Sequence, residues 1–198
     1  MNIRLAGDIQ QDSIVDGEGI RTVIWTQGCK HNCKGCHNPQ THSLTKGFLV
    51  DVDEIKKKIL DLKGQDGITL SGGDPLCQVD ACLEIAKFCK EHNLNVWCYT
   101  GYKYEELLIM ALNNNKILEL LHNIDVLKDG KFIKEQRDLS LPFRGSKNQR
   151  IIDVSTSLRL GKIIEIEKYI CKENENIFEE QVKFENFNQY GRVQYMFI

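Results

Sequence analysis

The feature that most restricts what this chain can fold into is an alternation. Short apolar runs rich in β-branched residues are separated by segments of helical period, and each run ends on glycine or polar residues. Parallel strands joined by crossover helices require that pattern. The first strand is expected at 20–27, just before a cysteine-rich loop. A helix is expected at about 53–63, where Ile55, Ile59 and Leu62 recur three and four apart, with Asp51 and Asp53 as candidate N-caps and Gly64 as a stop. A strand at 67–70 runs into Ser71-Gly72-Gly73-Asp74-Pro75, and a helix follows at 79–92. A further strand at 94–100 meets Gly101, a helix from 104 to 113 resumes toward 121, and a fourth strand covers 124–128.

Parallel α/β folds hold their ligands in loops beyond the C-terminal ends of the strands. Four loops, 28–38, 71–75, 100–102 and 129–131, are therefore expected on one face. The expected fold class is α/β, an open partial (β/α) barrel of about four to six parallel strands. A closed eightfold barrel takes roughly 250 residues, more than the 198 present. Residues 138–150 read as irregular and polar. Beyond Asp153 lies a Lys/Glu/Asn-rich stretch in which Ile163, Ile164, Ile166 and Ile170 permit a helix or a strand, and 192–198 reads as a short terminal strand. The expected organisation is one domain over 1–154 and a C-terminal extension over 155–198 packed on it, with no internal repeat or low-complexity linker.

Charge and composition exclude several classes of function. With 26 basic against 28 acidic residues, and no dense Lys/Arg stripe, a direct nucleic-acid partner is not expected. Residues 1–11 lack the order of a secretion signal, and no run approaches the ~18 apolar residues of a membrane span. Eight cysteines in 198 residues fall well short of the ~8–10% of a disulfide scaffold. A reduced, cytoplasmic chain is expected.

The cysteines are unevenly spread. Cys29, Cys33 and Cys36 lie within eight residues, whereas Cys77, Cys82, Cys89, Cys98 and Cys171 are scattered. Three close thiolates are soft ligands and select zinc or an iron-sulfur cluster. Zinc would need a fourth ligand, which His31 or His37 could supply, and the chain would then be a zinc-stabilised binding module. A cluster of ferredoxin type uses four cysteines, so three would leave one iron open to a ligand. Gly72 and Gly73 allow main chain to approach a ligand closely, and Asp74 adds a carboxylate, although Gly-Gly-Asp-Pro would also make a plain strand-ending turn. Cys82 and Cys89, seven apart, share a helix face with Ile85 and Ala86 and read as packing residues, as do Cys77, Cys98 and Cys171. Lys128 occupies a position where an apolar residue is expected, and no role is assigned to it.

The Cys29-x-x-x-Cys33-x-x-Cys36 loop resembles that of the radical S-adenosylmethionine superfamily. More narrowly, several segments resemble the activating proteins of anaerobic ribonucleoside-triphosphate reductases. These are Asp16 to Thr22, Gln27-Gly28-Cys29, Gly35-Cys36-His37-Asn38, Leu70 to Leu76, Tyr99 to Tyr102, Asp129 to Phe132 and Arg144 to Arg150. The resemblance covers about 1–154. It implies one 4Fe-4S cluster held by Cys29, Cys33 and Cys36, with S-adenosylmethionine bound by Gly35, Cys36, His37, Gly72, Gly73 and Asp74. His37 or Tyr102 is the implied neighbour of the adenosyl group. It further implies reductive cleavage of S-adenosylmethionine to methionine and a 5′-deoxyadenosyl radical, with no side chain serving as acid or base. The implied enzyme is an oxidoreductase that places a glycyl radical on the C-terminal glycine loop of the large reductase subunit, fed by a flavodoxin or ferredoxin-type donor. An activase of another glycyl-radical enzyme, or a small radical enzyme acting on a free metabolite, is the alternative within that chemistry.

Overall fold

A computed structural model describes residues 1–170. The strand expected at 192–198 and Cys171 lie outside the described residues. In chain order the elements are β1 (Asn2–Leu5), β2 (Gln10–Ser13), β3 (Arg21–Thr26), β4 (Phe48–Asp51), α1 (Val52–Asp61), β5 (Gly67–Gly72), α2 (Val79–Glu91), β6 (Asn95–Tyr99), α3 (Tyr104–Ala111), α4 (Asn115–His122), β7 (Val126–Asp129), β8 (Arg150–Asp153) and α5 (Val154–Leu160).

The fold is mixed α/β. The described strands form one sheet in the order β4-β1-β3-β5-β6-β7-β8, with β2 paired to β3 beside that path, and the sheet does not close on itself. Its centre, β3-β5-β6-β7, is parallel. These are the four strands expected from the alternation, in sequential order, as short crossovers favour. The flanks are antiparallel: β1 on β3, β4 on β1, β2 on β3 and β8 on β7. None of the flanking strands was expected from the pattern. Each is four residues long, too short for a period-two signal to stand out, and pairing with a neighbour decides its conformation.

Local chemistry explains the helix boundaries. Asp51 caps α1 by accepting from the Asp53 amide at 2.8 Å, and Gly64 follows the helix in a left-handed conformation. The helix expected to run from 104 and resume toward 121 is two helices, because Asn114 starts α4 by accepting from the Lys116 amide.

Alternation along the strands sorts the two faces of the sheet. Ile24, Ile68, Leu70, Val96, Cys98 and Leu127 join the main core, together with Ile55, Ile59, Cys82, Ile85, Cys89, Leu120 and Leu121 from the helices. The expected packing of Cys82, Cys89 and Cys98 is observed, each being fully buried. On the other face a smaller cluster gathers Trp97, Val126, Ile151 and Tyr169, with Tyr99 and Phe143 against it. That second face carries the cavity. From the stretch beyond Asp153, α5 follows β8 directly, Glu165 bridges to Ile152, and Tyr169 packs on Trp97 and Phe143. Among the described residues no helix is long and apolar enough to cross a membrane.

Candidate functional site

The C-terminal ends of β3 and β5 are joined beyond the ladder, and this union seats the cysteine loop. Thr26 pairs with Gly72 in register. The Gly73 amide then donates to the Thr26 carbonyl at 2.7 Å, and the Asp74 amide to the Gly28 carbonyl at 2.8 Å. A Cβ on Gly72 would stand 2.4 Å from the Thr26 oxygen, and one on Gly73 would stand 2.3 Å from the Gly28 oxygen. The glycine pair is thus required first by main chain meeting main chain, directly before Cys29. On its other side the loop is tied by the Gly28 amide to the Thr41 carbonyl at 2.8 Å and by the Cys29 amide to the His42 carbonyl at 3.2 Å.

Cys29, Cys33 and Cys36 all line one cavity of about 500 Å³. All four loops expected on one face contribute to it: the cysteine loop, Ser71 to Gly73, Thr100 with Gly101, and Gly130. Its floor includes a row of side chains from successive parallel strands, Trp25, Ser71, Tyr99 and Lys128, of which Trp25 pairs with Ser71 and Tyr99 with Lys128 in register. Ile14, Val15, Leu141 and Pro142 stand on its walls. Burial pushes the Cys29 thiol up to about 11, so this sulfur is a thiol at neutral pH until a positive centre binds it.

Asp74, expected to contact a ligand, instead stands behind the cavity lining. It is fully buried. Its carboxylate accepts from His31 Nε2 at 2.7 Å, from the Thr100 hydroxyl at 2.9 Å, from the Gly101 amide at 3.0 Å and from the Leu76 amide at 2.9 Å. It holds His31, which does line the cavity, and so ties the cysteine loop to the end of β6. Gly35 also lies outside the lining; its positive φ makes the turn between Cys33 and Cys36. His37 lines the cavity, with its ring 5.0 Å from that of Phe132. Tyr102 packs against the His31 ring at 4.4 Å and lies outside the lining.

The segment from Arg144 to Arg150 fastens the far wall. Gln149 accepts from the Gly145 amide and donates to the Gly130 carbonyl, each at 2.8 Å. Arg150 grips both oxygens of Glu105 and also bonds Asp129. Three buried polar atoms have no hydrogen-bond partner among the described residues: His42 Nε2, the Tyr99 hydroxyl and Arg144 Nε. All three belong to side chains that line this cavity. Buried polar groups in a folded chain are nearly always paired, so three orphans on residues around one cavity set this region apart from the rest of the fold.

A family model described as a 4Fe-4S single cluster domain matches residues 15–152. The anaerobic ribonucleoside-triphosphate reductase-activating protein of Haemophilus influenzae is 42% identical over 147 residues, which is 70% of this chain and 90% of that protein. Its counterpart in Vibrio cholerae is 40% identical over 146 residues, again 70% and 90%. The one in Enterobacteria phage T4 is 34% identical over 143 residues, 69% of this chain and 86% of that protein. This chain belongs to the anaerobic ribonucleoside-triphosphate reductase-activating protein family.

As a member of that family the chain carries a 4Fe-4S domain, and its donor set suits such a group. Three soft thiols from one short loop line one cavity together with the Gly72 and Gly73 main chain. Reading the sequence of this activating-protein family member left several lining residues without a role, among them Trp25, His42, Tyr99 and Lys128. Lys128 carried a signal as a charge inside an apolar strand, and Tyr99 as the first residue of the Tyr99 to Tyr102 segment. Trp25 and His42 became visible through strand register and the closure of the loops.

Proposed function

We propose that this chain activates an anaerobic ribonucleoside-triphosphate reductase in the cytoplasm by placing a glycyl radical on its large subunit. Cys29, Cys33 and Cys36 would hold one 4Fe-4S cluster and leave one iron without a protein ligand. His37, the Cys36 segment and the main chain at Gly72 and Gly73 would receive S-adenosylmethionine. When bound, cluster and cofactor together supply the reductive cleavage that yields methionine and removes a hydrogen atom from the partner's glycine.

The observation that supports this reading most strongly is that the three cysteines and the glycine pair line a single cavity. The chain's own residues position and enclose. Gly73 and Asp74 anchor the main chain ahead of Cys29, Asp74 steadies His31, and Gly35 turns the loop so that Cys33 and Cys36 face the same space. No side chain is asked to act as acid or base. Ile14 and Val15, 71% and 69% exposed, form an apolar lip suited to the glycine loop of the reductase. Electrons would come from a flavodoxin or ferredoxin-type protein. The architecture is read as an open partial barrel over 1–154, extended by 155–198.

The test is anaerobic mixing of cluster-loaded protein with reductant, S-adenosylmethionine and the cognate large subunit, followed by electron paramagnetic resonance. The expected result is a glycyl doublet that Cys33→Ala abolishes. Stoichiometric zinc, with no S-adenosylmethionine cleavage in the reduced protein, would contradict the proposal.

A further inference from the structure

Lys128 is an unusual residue for its position. It lies within β7, whose other three residues, Val126, Leu127 and Asp129, are buried. Its own side chain is half-buried, lines the cavity and holds its ammonium 5.0 Å from the centre of the Tyr99 ring, its cross-strand neighbour. Burial pushes its pKa down, a shift opposed by the negative charge of Asp74 and Asp129. Cys33 is close enough to act on it electrostatically.

The carboxylates around Lys128 are already engaged. Asp74 serves His31, Thr100, Gly101 and Leu76. Asp129 serves the Tyr104 amide and Arg150. Among the described residues the Lys128 ammonium has neither an ion-pair nor a hydrogen-bond partner. The Tyr99 hydroxyl and Arg144 Nε are likewise unpaired, and Arg144 is only 9% exposed. Lys128 thus lines the cavity as a cation with no carboxylate bound to it among the described residues, and an occupant that brings an anionic group would supply its acceptor.

We propose that Lys128 is a ligand-binding residue whose ammonium takes the carboxylate of S-adenosylmethionine. This inference rests on the proposed use of that molecule. Of the charged groups on S-adenosylmethionine only the carboxylate is attracted to Lys128; the sulfonium and the amino group are repelled. The lysine therefore sets the direction in which the cofactor enters, carboxylate toward β7 and the Cys33 side of the cavity. A charge-assisted contact in a partly dehydrated site is strong and depends on the ligand's charge, which makes it separable from simple packing.

The experiment measures equilibrium binding to cluster-loaded protein without air, using S-adenosylmethionine and its decarboxylated form, for wild type and for Lys128→Met. Methionine keeps the length and removes the charge, in a strand position that suits an apolar residue. Wild type should bind S-adenosylmethionine, and the variant should bind it about tenfold to a hundredfold more weakly. The decarboxylated molecule should change less than about twofold between the two proteins, since the group that Lys128 reads is missing. Lys128→Arg should keep most of the affinity. Equal losses for both ligands, or no loss for either, would overturn the assignment while leaving the proposed activity standing. Failure of the cluster-loaded wild type to bind S-adenosylmethionine would remove the proposed function and this inference with it.

Discussion

His31 Nε2 donates to the Asp74 carboxylate at 2.7 Å, across 43 residues of chain. The bond joins the cysteine loop after β3 to the turn after β5, and through Thr100 and Gly101 the same carboxylate reaches the end of β6. Three parallel strand ends are fastened at one buried group. Asp74→Asn keeps the shape but turns an amide N–H toward groups that are already donors. The expected cost is about 2–4 kcal/mol, read by denaturant unfolding of the cluster-free protein. Iron retained after reconstitution should fall in parallel. An unchanged unfolding midpoint with full iron content would remove Asp74 from its positioning role.

Gly73 and Gly64 separate two reasons for glycine. A Cβ on Gly73 would press on the Gly28 carbonyl, whereas one on Gly64 would meet nothing within 4 Å and would feel only the positive φ. Gly64→Ala should cost about 1 kcal/mol and leave cluster uptake intact. Gly73→Ala should displace the main chain just ahead of Cys29 and lower the iron bound per chain, by chemical iron analysis. Equal iron in the two variants would contradict the seating described for the cysteine loop.

Arg21 is 1% exposed and, among the described residues, is paired with no carboxylate. It donates to the Thr69 hydroxyl and to the carbonyls of Ile68, Asn95 and Glu18, and it lies 5.3 Å from the Trp97 ring centre. Burial lowers its pKa to about 10, so it stays charged at neutral pH while linking the starts of β3, β5 and β6. Arg21→Met should destabilise by about 3–5 kcal/mol through the unpaired groups left behind. At about 2–4 °C per kcal/mol for a chain of this size, the thermal midpoint should drop by roughly 10 °C. Arg21 sits at the strand ends remote from Cys29, so iron content of the folded fraction should hold.

Glu105 ionises below the usual carboxylate value: burial, the largest single influence, opposes this, and the Arg150 hydrogen bonds, a backbone hydrogen bond and the charges of Arg150 and Lys103 together outweigh it. A carboxylate with a depressed folded pKa stabilises the fold above its unfolded value of about 4.3, and loses that contribution as pH falls through the folded value. Glu105→Gln should therefore cost about 1 kcal/mol at pH 7, a modest figure because the pair is partly exposed. The difference between variant and wild type should shrink toward zero in unfolding curves taken progressively below about pH 4. A difference that stays constant with pH would assign the cost to packing.

The parallel centre was legible because each of its strands announces itself twice, as an apolar run and as the glycine or polar stop that follows. β1, β2, β4 and β8 were not, since sequences such as Gln10 to Ser13 become strands only beside a partner. The cysteine triplet was legible from spacing, and the glycine pair from its lack of a side chain. What the pair accommodates was not: Thr26 and Gly28 meet it through strand register. That Asp74 holds His31 was not legible, because the two lie 43 residues apart and no local pattern joins them. Lys128 declared itself as a misplaced charge, yet its place above Tyr99 follows from the pairing of β6 with β7.

The central claim is a cluster held by Cys29, Cys33 and Cys36 with one iron left for the cofactor. Mössbauer spectroscopy of protein reconstituted with isotopically enriched iron, before and after S-adenosylmethionine is added, tests it most directly. The account predicts that one iron of the cluster changes its signal on addition while the rest keep theirs, and that Cys77→Ala leaves this behaviour untouched. A spectrum in which every iron is indifferent to S-adenosylmethionine would contradict it.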